Sequence, residues 1–456
     1  MRVYFANHST APVNLGGAER SLIRLVEDWR ARRPDLEILF LTKAPAGQFI
    51  AALRSRGWDF RAFRFRGWAV PSEQPAPAAE RAAFATVDYA AVRSMIAEME
   101  RVRPDLVVTN TLVAPWAAFA AAALDIPHAW FVREYGDLDH GLQFQSGRAS
   151  TIHDIGLLSQ AVFTNSYALK AHLSQHLDGD AVTVVYPRVD ADTVRRSAAL
   201  VPALPVFAGD APGLKVTVVG RVEPGKGQYR VIDALGLLET RGIRASLCIV
   251  GSWKEPGYDV ELRDRARALG VAERVHFVGE QDNPYPFIAA ADVCVTPSTL
   301  EAFGRTTLEY MIAGRAVVAS DAGGSAELVV PGDTGSLFDL DDPRSLSDAL
   351  AEYAADPDLA LRHGAAAARR ADEILGGANG NDAAIDRLES LVGGPAYRLP
   401  DIARYWFELP DAYSSLGATS ARMALGLLAS RLRTRTGLVG RAARRPGAVL
   451  KRLAGR

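Results

Sequence analysis

Cysteine is nearly absent: the 456 residues include two, Cys248 and Cys294. That excludes a disulfide framework and every multi-cysteine metal site. Both thiols lie in apolar runs that read as strands, so both are expected to be inert core residues. Net charge is also scarce, since 52 basic and 53 acidic residues leave -1, which argues against a uniformly basic nucleic-acid binder. No apolar run is long enough to cross a membrane. The longest nearly uncharged stretch, 112–124, is Ala-rich, contains Pro115 and stops at Asp125, short of the ~20 residues a span needs, and it reads as a core helix. No charged and apolar leader precedes the strand-like run 2–7, so the chain is expected in the cytoplasm.

What is present is an ordinary globular composition, 48% hydrophobic and 23% charged. The length exceeds the roughly 250 to 300 residues at which single cores stop growing, so at least two domains are expected. Val-, Ile- and Phe-rich runs at 2–7, 36–42, 106–110, 128–132, 162–165 and 182–186 alternate with helical patterns. The alternation predicts an α/β domain with a parallel sheet and helices on both faces. A Pro-, Ala- and Gly-rich segment, 202–213, reads as a linker, and the pattern restarts at 215–220, 246–251, 275–279, 292–296 and 316–320. The expected domains are 1–200, 201–392 and a C-terminal extension, 393–456. Two doubly wound domains put the active site in the cleft between them, because open α/β sheets bind ligands beyond the carboxyl ends of their strands.

Four loops after predicted strands carry chemistry. In NLGGAER, 14–20, Gly16 and Gly17 let a phosphate or sugar approach a helix N-terminus. This loop lacks the GxGxxG dinucleotide fingerprint, which weighs against an oxidoreductase. In GRVEPGKGQ, 220–228, Arg221 and Lys226 stand where two cations can grip a diphosphate without a metal. PSTLEAFGRTTLEYMIAG, 297–314, holds Glu301 and Glu309 on either side of seven residues, with Phe303 and Gly304 at a helix entry. Mainly helical chain between them would separate the two carboxylates by about 12 Å along the axis. In SDAGGSAELV, 320–329, backbone N–H groups at Gly323 and Gly324 are candidate ligands for sugar hydroxyls or phosphate oxygens, and Glu327 reads as a capping residue.

These loops together resemble the retaining glycosyltransferases of the GT-B fold, specifically glycosyltransferase family 4, over roughly residues 1–391. The strongest component is EAFGRTTLE, the family's EX7E motif, with GGSAE behind it. The resemblance implies a nucleotide-sugar donor held mainly by the C-terminal domain, a glycan or lipid-linked acceptor held mainly by the N-terminal one, retained anomeric configuration, and no cofactor or required metal. It implies that Arg221 and Lys226 clamp the diphosphate, Glu309 binds ribose, Glu301 stands beside the donor sugar, and Gly16 and Gly17 cover the pyrophosphate. His128, in IPHAWFVREYGD, resembles the family's active-site histidine, and Arg133 and Glu134 after it are acceptor candidates.

At 184–190, VVYPRVD stands where the family often has an Asn-Gly-Val-Asp turn, so Pro187 and Arg188 replace the Asn-Gly. Asp137 and Asp139 form a DxD triplet read as accidental. A nucleotide-sugar epimerase of the same architecture and a non-catalytic sugar-nucleotide binding protein are the alternative functions. From Arg422 to Arg456 there are nine arginines, one lysine and no acidic residue. That segment reads as a peripheral anchor for an anionic membrane at its cytoplasmic face.

Overall fold

A computed structural model describes residues 1–400 except 10, 12–13, 46, 72–77, 200–204, 208–211 and 254–256. The basic tail and most of the linker therefore lie outside the described residues. Fifteen strands are present among those described: β1 (Arg2–Asn7), β2 (Glu37–Lys43), β3 (Phe60–Phe63), β4 (Ala69–Pro71), β5 (Leu106–Thr109), β6 (His128–Val132), β7 (Leu142–Phe144), β8 (Ala161–Thr164), β9 (Val182–Val184), β10 (Leu214–Val219), β11 (Ala245–Val250), β12 (Val275–Gly279), β13 (Val293–Thr296), β14 (Ala316–Ser320) and β15 (Gly335–Phe338). The chain divides into two compact units. One comprises Met1–Phe163, Leu173–Thr183 and the chain from Ala384 on, and the other Thr164–His172 with Val184–Ala383.

The first unit is built on a seven-stranded sheet of order β3-β2-β1-β5-β6-β8-β9, with parallel pairing from β3 through β6. Alternate residues of its strands feed opposite faces. Tyr4, Leu39, Leu41 and Val107 pack with Met95, Met99, Ala117 and Ala121 on one side. The last two belong to the helix Trp116–Ala123, which is the core helix expected within 112–124. Phe5 stacks on Phe40 and meets Trp29 edge-on, and Trp29 comes from the helix Gly17–Arg32. Where the chain returns after Ala384, Glu389 accepts hydrogen bonds from Trp29 Nε1 (2.8 Å) and Arg33 Nε (3.0 Å).

The second unit has a six-stranded, wholly parallel sheet of order β12-β11-β10-β13-β14-β15. Val216, Val218, Val293 and Val295 pack against the helices Gln228–Thr240 and Ser345–Ala355. Cys294, Val317 and Ala319 face the helices Arg305–Ile312 and Pro357–Gly376. Burial on both faces explains why these strands read as continuous β-branched runs. It also makes the cysteines inert: both are fully buried, and burial raises both thiol pKa values, that of Cys248 to about 12.

Each sheet reverses strand order once, between β1 and β5 in the first unit and between β10 and β13 in the second. The crevice beyond the carboxyl ends at such a reversal is where an open α/β sheet takes a ligand. The fold therefore singles out the residues after β1 and β5 and those after β10 and β13. Among the described residues no helix is long and apolar enough to cross a membrane.

Candidate active site

At the carboxyl ends of β10 and β13 a pocket opens, walled by Gly220, Lys226, Gln228, Ser298, Glu301 and Gly304 among others. Lys226 closes a single 3-10 turn, Pro224–Lys226, ahead of the helix Gln228–Thr240. Its Nζ lies 2.7 Å from Glu301 Oε1, and Ser298 Oγ donates to the same oxygen at 2.6 Å. Gln228 is fully buried and donates from Nε2 to the Arg221 carbonyl (2.9 Å), which pins the loop from below. Arg221 itself does not line the pocket wall. Its side chain is half exposed and lies 3.3 Å from Glu223.

The acidic motif has a different shape from the one its spacing predicted. The helix starts only at Arg305, with Gly304 at φ 86° as its N-cap, a left-handed conformation that suits glycine. Glu301 therefore sits on irregular chain that turns back to Lys226, and the 12 Å separation for mainly helical chain does not apply. Glu309 lies in the helix, 8% exposed, and accepts from Arg305 Nε at 3.1 Å. Arg305 reaches the pocket wall and Glu309 stands behind it. Phe303 is core: it is buried and its ring packs on Tyr186, with centroids 5.5 Å apart.

Gly323 and Gly324 do not offer a pair of free amides. Gly324 N donates to the Glu301 carbonyl at 2.7 Å, and a Cβ on Gly324 would come within 2.5 Å of Phe303 Cα. The two glycines let this loop press against the Glu301 loop and fix it. Glu327 is a cap, but of another helix. It accepts from Tyr167 N (3.2 Å) and Ala168 N (3.0 Å), at the start of Tyr167–Leu173.

In the first unit, Gly16 is the N-cap of Gly17–Arg32, and the Glu19 carboxylate folds back against it. That helix N-terminus already faces a carboxylate of its own. His128 is not at a ligand-facing end of the sheet: it opens β6, is 1% exposed, and has Nε2 at 2.8 Å from Thr109 Oγ1 and Nδ1 at 3.1 Å from Ser159 Oγ. Burial pushes its pKa down to about 3. Such an imidazole packs the core and is neutral at working pH.

The carboxyl end of β6 belongs to Arg133 and Glu134. Arg133 donates from Nε to Asn110 Oδ1 (2.8 Å), its guanidinium lies 4.8 Å from the Phe131 ring centroid, and burial pulls its pKa down to about 10. Burial, then the Asp139 charge, pushes Glu134 up to about 7, and His140 Nε2 stands 3.6 Å from its Oε2. The DxD carboxylates serve the turn: Asp139 accepts from Tyr135 N and Gly136 N, and Asp137 pairs with Arg148.

Sequence reasoning passed over Ser298, Gln228, Asn110 and Arg305. The signals were the Ser three residues before an acid, the Gln closing the Lys-Gly loop, and the Arg305–Glu309 i,i+4 spacing. Asn110 had no local signal, because its partner comes from another strand.

Two family models match the chain, one described as Glycosyltransferase Family 4 over residues 15–193 and one as Glycosyl transferases group 1 over residues 210–370. A lipopolysaccharide core biosynthesis mannosyltransferase, LpcC, of Rhizobium leguminosarum bv. viciae is 45% identical over 154 residues, 33% of this chain and 43% of that protein. A D-inositol 3-phosphate glycosyltransferase of Streptomyces scabiei is 33% identical over 206 residues, 43% of this chain and 46% of the relative. The chain thus aligns with less than half the length of either. The crystal structure of Anabaena Alr3699/HepE in complex with UDP superposes with a TM-score of 0.68 at 23% identity, covering 86% of this chain and all of that one. The chain belongs to the glycosyltransferases of group 1 and family 4, with the two-domain GT-B fold.

Proposed function

We propose that the protein is a retaining glycosyltransferase that moves a sugar from a nucleoside-diphosphate donor to a glycan or lipid-linked acceptor in cell-envelope polysaccharide synthesis. The observation that carries the reading is the Lys226 ammonium at the switch point of the second sheet, joined to Glu301 at 2.7 Å. A diphosphate leaving group develops negative charge as its bond to the anomeric carbon breaks, and a fixed cation there lowers the barrier. Lys226 supplies that cation from the chain itself, so we assign the reaction no metal requirement. Glu301 lies where it can hold the donor sugar and stabilise positive charge at the anomeric carbon. The acceptor hydroxyl then attacks the face from which the diphosphate departs, its proton passing to the departing phosphate oxygen, and no protein nucleophile is needed.

The relative from Rhizobium is named as a mannosyltransferase of lipopolysaccharide core synthesis, and the Anabaena structure contains UDP. Both support a nucleotide-sugar donor and an envelope glycan acceptor. The tail composition supports work at the cytoplasmic face of the membrane. The test is nuclear magnetic resonance of the product formed from an α-linked nucleotide sugar and an acceptor in EDTA. An α-linked product is expected. A β-linked product would overturn retention, and conversion of the donor sugar without acceptor would make the protein an epimerase.

A further inference from the structure

The segment VVYPRVD, 184–190, stands where the family often has an Asn-Gly turn, and in the second unit it lays one aromatic ring against the Glu301 loop. Pro187 is buried and biases the residue before it toward extended backbone. Tyr186, half-buried, donates from its N–H to the Asn379 carbonyl at 2.7 Å. Its ring packs on Phe303, with centroids 5.5 Å apart, and meets Tyr167 edge-on at 6.3 Å. Asn379 Nδ2 in turn donates to the Tyr167 hydroxyl at 3.1 Å. Phe303 follows Glu301 by two residues on the irregular chain that ends at Gly304.

Glu327 holds the polar end of the same ring. The Tyr186 hydroxyl donates to the Glu327 carboxylate, which also accepts from Tyr167 N and Ala168 N. Burial, then the Glu327 charge, raises the Tyr186 pKa above the ordinary phenol range. The hydroxyl therefore keeps its proton and stays a donor at working pH. Glu327 belongs to the helix Gly323–Leu328, whose Gly324 amide donates to the Glu301 carbonyl at 2.7 Å. The Glu301 loop is thus gripped at two points, its backbone by Gly324 and its Phe303 by Tyr186, and Glu327 joins the two grips. Tyr186 and Glu327 stand outside the pocket wall, so their effect on it passes through the Glu301 loop.

We propose that Tyr186, anchored by Glu327, is a positioning residue that sets Phe303 and through it holds the Glu301 carboxylate at Lys226. The consequence for transfer rests on the reading of Glu301 as the group beside the donor sugar, whereas the positioning itself does not.

The test is a double-variant cycle read at Lys226. Lysines of the full chain are reductively methylated with isotope-labelled formaldehyde. The dimethyl-Lys226 resonance, assigned by its loss in Lys226→Arg, reports the Glu301 carboxylate beside it. Glu301→Gln defines the shift of a lost partner. Tyr186→Leu should move the resonance at least half as far in the same direction, and should add nothing in the Glu301→Gln background. Tyr186→Phe and Glu327→Gln, which keep the ring and loosen its anchor, should move it in that direction by less than half. Unmoved Lys43 and Lys215 resonances show that the variants are folded. An unmoved Lys226 resonance in Tyr186→Leu, or in Glu327→Gln should the first variant not fold, would overturn the positioning role, as would a further shift on top of Glu301→Gln. Release of nucleoside diphosphate from UDP-glucose or GDP-mannose is followed in the same variants. Tyr186→Leu should lower kcat at least tenfold and leave the donor KM within twofold. A displaced Lys226 resonance with unchanged kcat would uphold the positioning and sink the role of Glu301 in transfer.

Discussion

Glu301 and Glu309 share one motif but occupy different environments. Glu301 shares one oxygen between Lys226 and Ser298, whereas Glu309 sits behind Arg305 in a helix. Glu301→Gln is therefore expected to lower kcat about 100-fold with little change in donor affinity. Glu309→Ala should raise the donor KM about tenfold, and steady-state kinetics separate the two. Ser298→Ala removes one charge-assisted hydrogen bond and should lower kcat about tenfold through Glu301. Loss of donor affinity alone in Glu301→Gln and Ser298→Ala would contradict these roles.

His128 supplies a stability test at the same scale. Its pKa falls from 6.5 to about 3 in the fold, so its contribution is complete above about pH 6.5 and is lost as pH drops toward 3. Asp88 and Glu134, raised to about 6 and 7, act in the opposite sense, losing their contribution as pH rises. Subtracting a variant isolates the histidine. Between pH 7 and pH 5 wild type should lose about 2 kcal/mol more unfolding free energy than His128→Gln, measured by urea denaturation. Parallel losses would mean that the imidazole is not held neutral.

The elements behind the site are loops that brace one another. Gly324 gives its amide to the Glu301 carbonyl and leaves no room for a side chain. Gly324→Ala should cost about 1–3 kcal/mol by overpacking and, by shifting Glu301, reduce kcat/KM more than tenfold. A thermal melt and a kinetic assay check both. Strands β1, β6, β12 and β14 and the helix Gln228–Thr240 stand where the sequence puts them, because apolar runs buried on two faces leave an unambiguous signal. The edge strands β3, β4, β7 and β15 carry three or four residues each and gave too little pattern to read. The candidate site was legible in its loops and not in its contacts. Lys226 and Glu301 are 75 positions apart, and only the parallel β10–β13 pairing brings their loops together. The sequence itself places His128 at the start of β6, and only the resemblance made it a site candidate; the fold buries it between Thr109 and Ser159.

Across the whole molecule, the basic segment from Arg422 to Arg456 lies outside the described residues, and its ten cations without a carboxylate are a property of the sequence. Each cation near an anionic surface contributes about 1 kcal/mol. Full-length protein is expected to float with anionic liposomes at ~0.15 M salt, and a chain ending near Ser420 should not. Absence of both from the vesicle fraction would favour a soluble acceptor.

The most direct measurement is calorimetric titration of UDP, GDP and ADP into wild type and Lys226→Ala, with EDTA present throughout. At least one nucleotide should bind wild type without metal, and Lys226→Ala should weaken that nucleotide at least 100-fold, about 2.7 kcal/mol. Binding that vanishes in EDTA and returns with a divalent cation, or that is indifferent to Lys226, would contradict a diphosphate held by the chain's own cation.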